Sequence, residues 1–231
     1  MLRKEALATL VLVTLATVTL QVVSAQVSSA KDVKLWTPKR YVTIDEDIEL
    51  NIFWSDVGCS EYHVVLFRTY PNGTTIRIPP EGYGDPLKAP GVIPMKLSLK
   101  GDIVGKHKFK YELYCNTSHL ANSNELEVIV SKGTSSIEVW VSPERLLRGE
   151  EVKVAGSVEP KVMGEVTLEV VSPSELKRNV TLSLDGNFSY SLALNESGTW
   201  RFRASWGGNS GYLGASSGWV TVEVSEKPIR V

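Results

Sequence analysis

Beyond its first 25 residues the chain alternates apolar and polar side chains with a period of two, and no long window carries the 3.6-residue period of an amphipathic helix. Ile48, Leu50, Ile52 and Trp54 fall on one face of a strand, with Asp47, Glu49, Asn51 and Phe53 on the other. Further on, His107, Phe109, Tyr111, Leu113 and Cys115 alternate with Lys106, Lys108, Lys110, Glu112 and Tyr114, which gives that strand one dry and one wet face. Tyr62 to Tyr70 and Thr74 to Ile78 flank Pro71-Asn72-Gly73, a hairpin signal. Met95, Leu97, Leu99 and then Leu126, Val128, Val130 complete the set. Gly133 to Ser136 reads as a short polar linker, after which the alternation restarts at Ile137, Val139 and Val141. It continues through runs at Val152, Val166, Val180, Phe188, Trp200 and Val220. Seven short strands in about 90 residues, separated by turn residues, describe a sandwich. The chain is therefore expected to be all-β, with one domain at 32–131 and a second at 136–225.

The opening segment decides the compartment in which these strands are read. Arg3 and Lys4 precede an apolar run from Ala6 to Val23, broken only by Thr residues and Gln21, and Val23-Ser24-Ala25 offers small residues for cleavage. This is the pattern of a signal peptide at 1–25, so the protein is expected to be secreted or held at the cell surface. A retained membrane anchor is the alternative, because the run approaches the roughly 20 residues that span a bilayer. Glu5 after Lys4 argues against a leader cut behind the basic pair. The chain reaches Val231 without an apolar tail, so no stable membrane insertion is expected once the leader is removed. Without Arg3, Lys4 and Glu5, the 25 basic and 26 acidic residues become 23 and 25. A balance so near zero argues against nucleic acid or an anionic membrane as a partner.

In an exported chain the only two cysteines, Cys59 and Cys115, are expected to pair. Cys115 lies on the inward face of its strand, and Cys59 follows the inward run that ends at Trp54. The bridge is thus expected to pin a strand to the start of a connection, worth about 4 kcal/mol in the chain-entropy picture. A metal site is the sharper alternative, but His63, His107 and His119 are scattered without ligand spacing. Five sequons begin at Asn72, Asn116, Asn179, Asn187 and Asn195, where ordinary composition gives about one or two. Each lies at a turn or beside a strand, where a glycan could project. Asn, Ser, Thr and Gly are also simply what turns are made of.

The ordered set Val139-Trp140-Val141-Ser142-Pro143, Gly149 to Gly156, Asp185-Gly186-Asn187-Phe188 and Gly198-Thr199-Trp200 to Tyr212 resembles the bacterial and archaeal Ig-like repeats of surface proteins. The resemblance covers residues 136 to 225 and implies an immunoglobulin-like sandwich used as a spacer, stalk or adhesion module. It implies no catalytic residues. The first domain resembles such sandwiches only in strand pattern, because Cys59 is out of phase with its strand.

No nucleophile and base can be assembled from the sequence, and there is neither a Gly-x-Ser-x-Gly elbow nor a phosphate-cradling glycine loop. No enzyme activity or cofactor is expected. His107 faces inward beside Phe109 and Tyr111 and reads as a core histidine with a local partner. Asp45-Glu46-Asp47 could offer carboxylates to calcium, but such a cluster is more often a solvated strand entry. Trp54, Trp200 and Trp206 are in phase with the core and read as packing residues. Two loops are candidates for recognition. Pro79 to Pro94 carries Glu81, Tyr83 and Asp85 and exceeds the usual connection of about 4 to 6 residues. The glycine-rich turn after Trp206 carries Asn209 and Tyr212, and the Ig-like repeats it resembles have such a loop for structural reasons.

Two functional readings result. One is a noncatalytic surface protein acting as an adhesion, spacer or assembly subunit, with surface proteins or glycans as partners. The other is an accessory glycan- or protein-binding module for a secreted or surface enzyme. Homo-assembly could arise if Gln26 to Leu35 were donated as a strand to a neighbouring copy, although the segment lacks the apolar alternation a donor needs.

Overall fold

The computed structural model describes residues 32–55, 58–59, 61–78 and 95–226, and the leader and the Pro79 to Pro94 loop, with Glu81, Tyr83 and Asp85, lie outside the described residues. The regular structure of the described residues is all β, arranged as two sandwiches in series.

In the first sandwich, strands β1 (Val33–Trp36), β3 (Asp47–Trp54) and β6 (Met95–Lys100) form an antiparallel sheet in the order β1-β3-β6. The facing sheet runs β2-β9-β7-β4-β5, built from β2 (Tyr41–Thr43), β9 (Leu126–Ser131), β7 (Gly105–Cys115), β4 (Tyr62–Thr69) and β5 (Thr75–Ile78). A further strand, β8 (Ser118–Asn122), pairs with the end of β7. The alternation read from the sequence sets the faces: Ile48, Leu50, Ile52 and Trp54 pack against Tyr62, Val64, Leu66, Phe109, Tyr111 and Leu113. Burying such side chains contributes about 1.5–3 kcal/mol each. The described end of the N-terminal segment, Val33 to Leu35, pairs with β3 of its own sandwich. There the Asn124 side chain clasps Leu35, accepting from its N–H at 2.9 Å and donating to its carbonyl at 2.9 Å.

The second sandwich is one continuous ladder folded into two layers. β10 (Ser136–Ser142), β12 (Glu151–Glu159) and β15 (Asn187–Ala193) make one layer. The other runs β14-β13-β16-β18-β11, from β14 (Lys177–Asp185), β13 (Met163–Val171), β16 (Gly198–Gly208), β18 (Val220–Ser225) and β11 (Arg145–Leu147). The layers meet where β14 turns into β15, through the single pair Asp185 and Asn187, and the two strands diverge from there. The seven expected runs are all strands, and two short strands, β11 and β17 (Leu213–Ser216), add to them. Val152, Val154 and Val158 from one layer pack against Val166, Leu168, Phe202, Ala204 and Trp206 from the other. Trp200 is only half-buried and donates its indole N–H to the Glu196 carbonyl at 2.9 Å.

Candidate functional site

The candidate loop at Asn209 and Tyr212 lies between the sandwiches. It closes the turn from β16 into β17, where the Asn209 side chain accepts from the N–H groups of Gly211 at 2.8 Å and Tyr212 at 2.9 Å. Those bonds fix the turn, which is then pinned to the segment that joins the domains. Gly133 N–H donates to the Gly211 carbonyl, and Leu213 N–H donates to the Gly133 carbonyl, both at 2.9 Å. Lys132 Nζ donates to the Asn209 carbonyl, and Ser135 Oγ to the Leu213 carbonyl, at 2.6 Å each. The Tyr212 hydroxyl donates to the Asp45 carboxylate, which raises the tyrosine's ionisation above its ordinary value. Gly133 is buried, and a Cβ there would lie 2.8 Å from Tyr212 Cε1 and 3.1 Å from Ile44 Cγ2. The segment expected as a polar linker is thus a packed, hydrogen-bonded joint. Polarity in the sequence does not reveal which backbone groups have partners.

A polar cluster stands beside this joint. Arg68 follows Tyr62, Val64 and Leu66 on the inward phase of β4 and is 3% exposed. Its Nη2 donates to Asp102 at 2.6 Å, its Nη1 to the Lys100 carbonyl at 3.1 Å, and its Nε to His107 Nδ1 at 3.2 Å. Because Nδ1 accepts, the proton of a neutral His107 sits on Nε2, 2.6 Å from the Ile103 carbonyl. Burial lowers the pKa of His107 and the Arg68 charge lowers it further, against the Ile103 carbonyl and Asp102. The inward histidine with a local partner is therefore observed; Arg68 was missed, because charge ordinarily signals an exposed position.

The remaining candidates are dispersed. Cys59 and Cys115 form a disulfide with Cα atoms 5.7 Å apart, at the mouth of the first sandwich. His63 pairs with Glu61 at 3.1 Å, and His119 bonds Asn122 at 3.0 Å. Each histidine is thus committed to a partner other than a hydroxyl or thiol. The three carboxylates of Asp45-Glu46-Asp47 diverge: Asp45 to Tyr212, Glu46 to Lys39 and the Thr43 N–H, and Asp47 to Lys100 at 2.6 Å. Lys39 holds the Glu46 pKa below its usual range, and Lys100 does the same for Asp47. All five sequon asparagines are exposed: Asn72 and Asn116 at hairpin tips, Asn179 on β14, Asn187 at the start of β15 and Asn195 just beyond it. On the outer face of β4 and β7 an open groove of about 590 Å³ is lined by His63, Phe67, Arg77, Glu112 and Tyr114.

No protein-family model matches the chain, and no curated protein matches it. Among solved structures, the FN1–FN3 domains of chicken CNTN1 align over 85% of this chain and 66% of their own, at 13% identity and a TM-score of 0.33. The chain thus spans just under two-thirds of the length of that structure. The assignment as tandem Ig-like sandwiches rests on the ladders and the two cores.

Proposed function

We propose that the protein is an exported, noncatalytic Ig-like module of the cell surface, working as a spacer or assembly subunit that holds its two sandwiches at a set angle. The observation that carries this reading is the joint. Two main-chain bonds at Gly133, the Lys132 and Ser135 bonds and the Tyr212 to Asp45 bond tie the second sandwich to the first. A flexible tether would need none of them. The leader-like pattern at 1–25 and the disulfide support placement outside the cytoplasm. Small-angle scattering on the secreted protein should give a profile fitted by one domain arrangement. Tyr212→Ala should broaden it towards an ensemble without loss of β content. A wild-type profile that already needs many arrangements defeats the spacer reading.

A second reading, an accessory binding module, draws support from the groove bearing Phe67 and Tyr114, whose rings could stack on a sugar or a peptide side chain. Titration against a glycan panel, repeated with Phe67→Ala, separates the two. Saturable binding that the substitution abolishes favours the accessory role.

A further inference from the structure

The second sandwich leaves two neighbouring strand edges open on one side. β14 pairs with β13 and β15 with β12, but β14 and β15 share only the Asp185 to Asn187 pair before they diverge. Unpaired strand edges are templates for another chain, and natural proteins guard them with charge, proline or cover. Here Lys177 and Arg178 guard the first residues of β14. After them, Val180 to Leu184 carries no charge and no proline, and neither does the whole of β15 from Asn187 to Ala193. Uncharged, proline-free runs of this length are the signature of edge-to-edge aggregation. Between the strands, a groove of about 660 Å³ exposes apolar surface of Leu176, which is 72% exposed, Leu192 and Trp200 beside the charged Lys177, Arg178 and Glu196, and Arg178 Nη2 donates to the Tyr190 hydroxyl of β15 at 3.3 Å.

All three sequons of this sandwich lie on that one side. Asn179 immediately precedes the uncharged run of β14, Asn187 opens β15, and Asn195 follows β15 and lines the groove. Asn179 and Asn187 are exposed and each precedes an inward residue, Val180 and Phe188, so they project from the outer faces of the two layers, while Asn195, beyond the end of β15, is exposed at the groove itself. We propose that Asn179, Asn187 and Asn195 carry N-linked oligosaccharides that together cover the β14 and β15 edges and the groove between them. In each transfer the Asn Nδ2 forms a bond to the anomeric carbon of a polyprenyl-phosphate-linked oligosaccharide. The bond from that carbon to the phosphate oxygen breaks, the phosphate leaves, and the amide loses one proton. The attached sugars are neutral or acidic, bulky and hydrated, which is what these edges lack.

This inference rests on the exported reading, and the test keeps the two apart. The protein is recovered from its own cells after fractionation, and peptides bearing the three sites are weighed. The expected result is an oligosaccharide mass on each of the three. A companion variant, Thr181→Ala with Ser189→Ala and Ser197→Ala, removes the three sequons while keeping every asparagine. An Asn→Gln triple variant repeats the test with different side chains. Both should keep the wild-type circular dichroism spectrum yet lose the monomer peak in size exclusion at concentrations where the wild type stays monomeric. Protein found outside the cytoplasm with unmodified peptides overturns this inference alone. Protein confined to the cytoplasm overturns both readings. Modified peptides together with a folded, monomeric variant overturn the edge-covering role.

Discussion

Burying a guanidinium costs several kcal/mol unless its donors find acceptors, and Arg68 meets Asp102, the Lys100 carbonyl and His107 Nδ1. The histidine must stay neutral to accept, which gives the first sandwich a pH dependence with a definite sign. On acidification the unfolded His107 protonates near 6.5, while the folded one, with its lowered pKa, does not. Stability is therefore complete above that value and falls as pH drops through the window below it. Denaturation midpoints at about pH 7.5 and about pH 5 should differ less in His107→Asn than in the wild type. An equal difference in both would remove His107 as the source. At the disulfide, Cys115→Ala should lower stability by about 2 to 5 kcal/mol, read from urea unfolding. Nonreduced peptide mapping should show Cys59 linked to Cys115. The inward phase of His107 and the pairing of the cysteines were legible in the sequence. Arg68 was not, since its place in the core depends on acceptors 32 or more residues away.

At the scale of elements, the alternation located the strands, but contact decides where a side chain is impossible. Gly156 lies on β12 beneath Phe188, and a Cβ there would fall 2.2 Å from the ring's Cζ and 2.4 Å from the Glu138 carbonyl oxygen. Gly156→Ala should cost about 1–3 kcal/mol or more through overpacking. By contrast, Gly207→Ala, with nothing within 4 Å of the new atom, should stay within about 0.5 kcal/mol. Thermal melts of the two variants side by side decide the matter, and similar losses would refute the steric account. The N-terminal segment is an element whose use the sequence left open. To donate it to a neighbour, the chain would have to strip Val33 to Leu35 from β3 and break both bonds that Asn124 makes to Leu35. Light scattering on the secreted wild-type protein should therefore give a monomer, and oligomers that a secreted chain beginning at Leu35 no longer forms would contradict that expectation.

At the scale of the whole molecule, the joint converts two modules into one shaped object. Because Gly133 admits no side chain beside Tyr212, Gly133→Val should open the joint as Tyr212→Ala does. The radius of gyration should rise while each domain keeps its own melting transition. An unchanged radius would show that the joint does not set the angle. The Tyr212 bond adds a dependence at the basic end. Its ionisation is raised above the ordinary 10.0 by Asp45, so on raising the pH the unfolded tyrosine deprotonates first and the bond's contribution is lost above that value. Tyr212→Phe should remove that step from the scattering profile.

The sequence by itself determined that the described residues are all β, that their strands fall into two successive sets, which face of most strands turns inward, and that two cysteines were available to pair. These follow from period-two patterning and composition, which act locally along the chain. Only the tertiary structure decided that the polar segment at Gly133 is a packed joint, that the Asn209 and Tyr212 turn serves it, and that three sequons share one open edge. Each of those depends on which distant strands become neighbours, and a pattern confined to neighbouring residues holds no record of contacts made across the 79 positions that separate Gly133 from Tyr212.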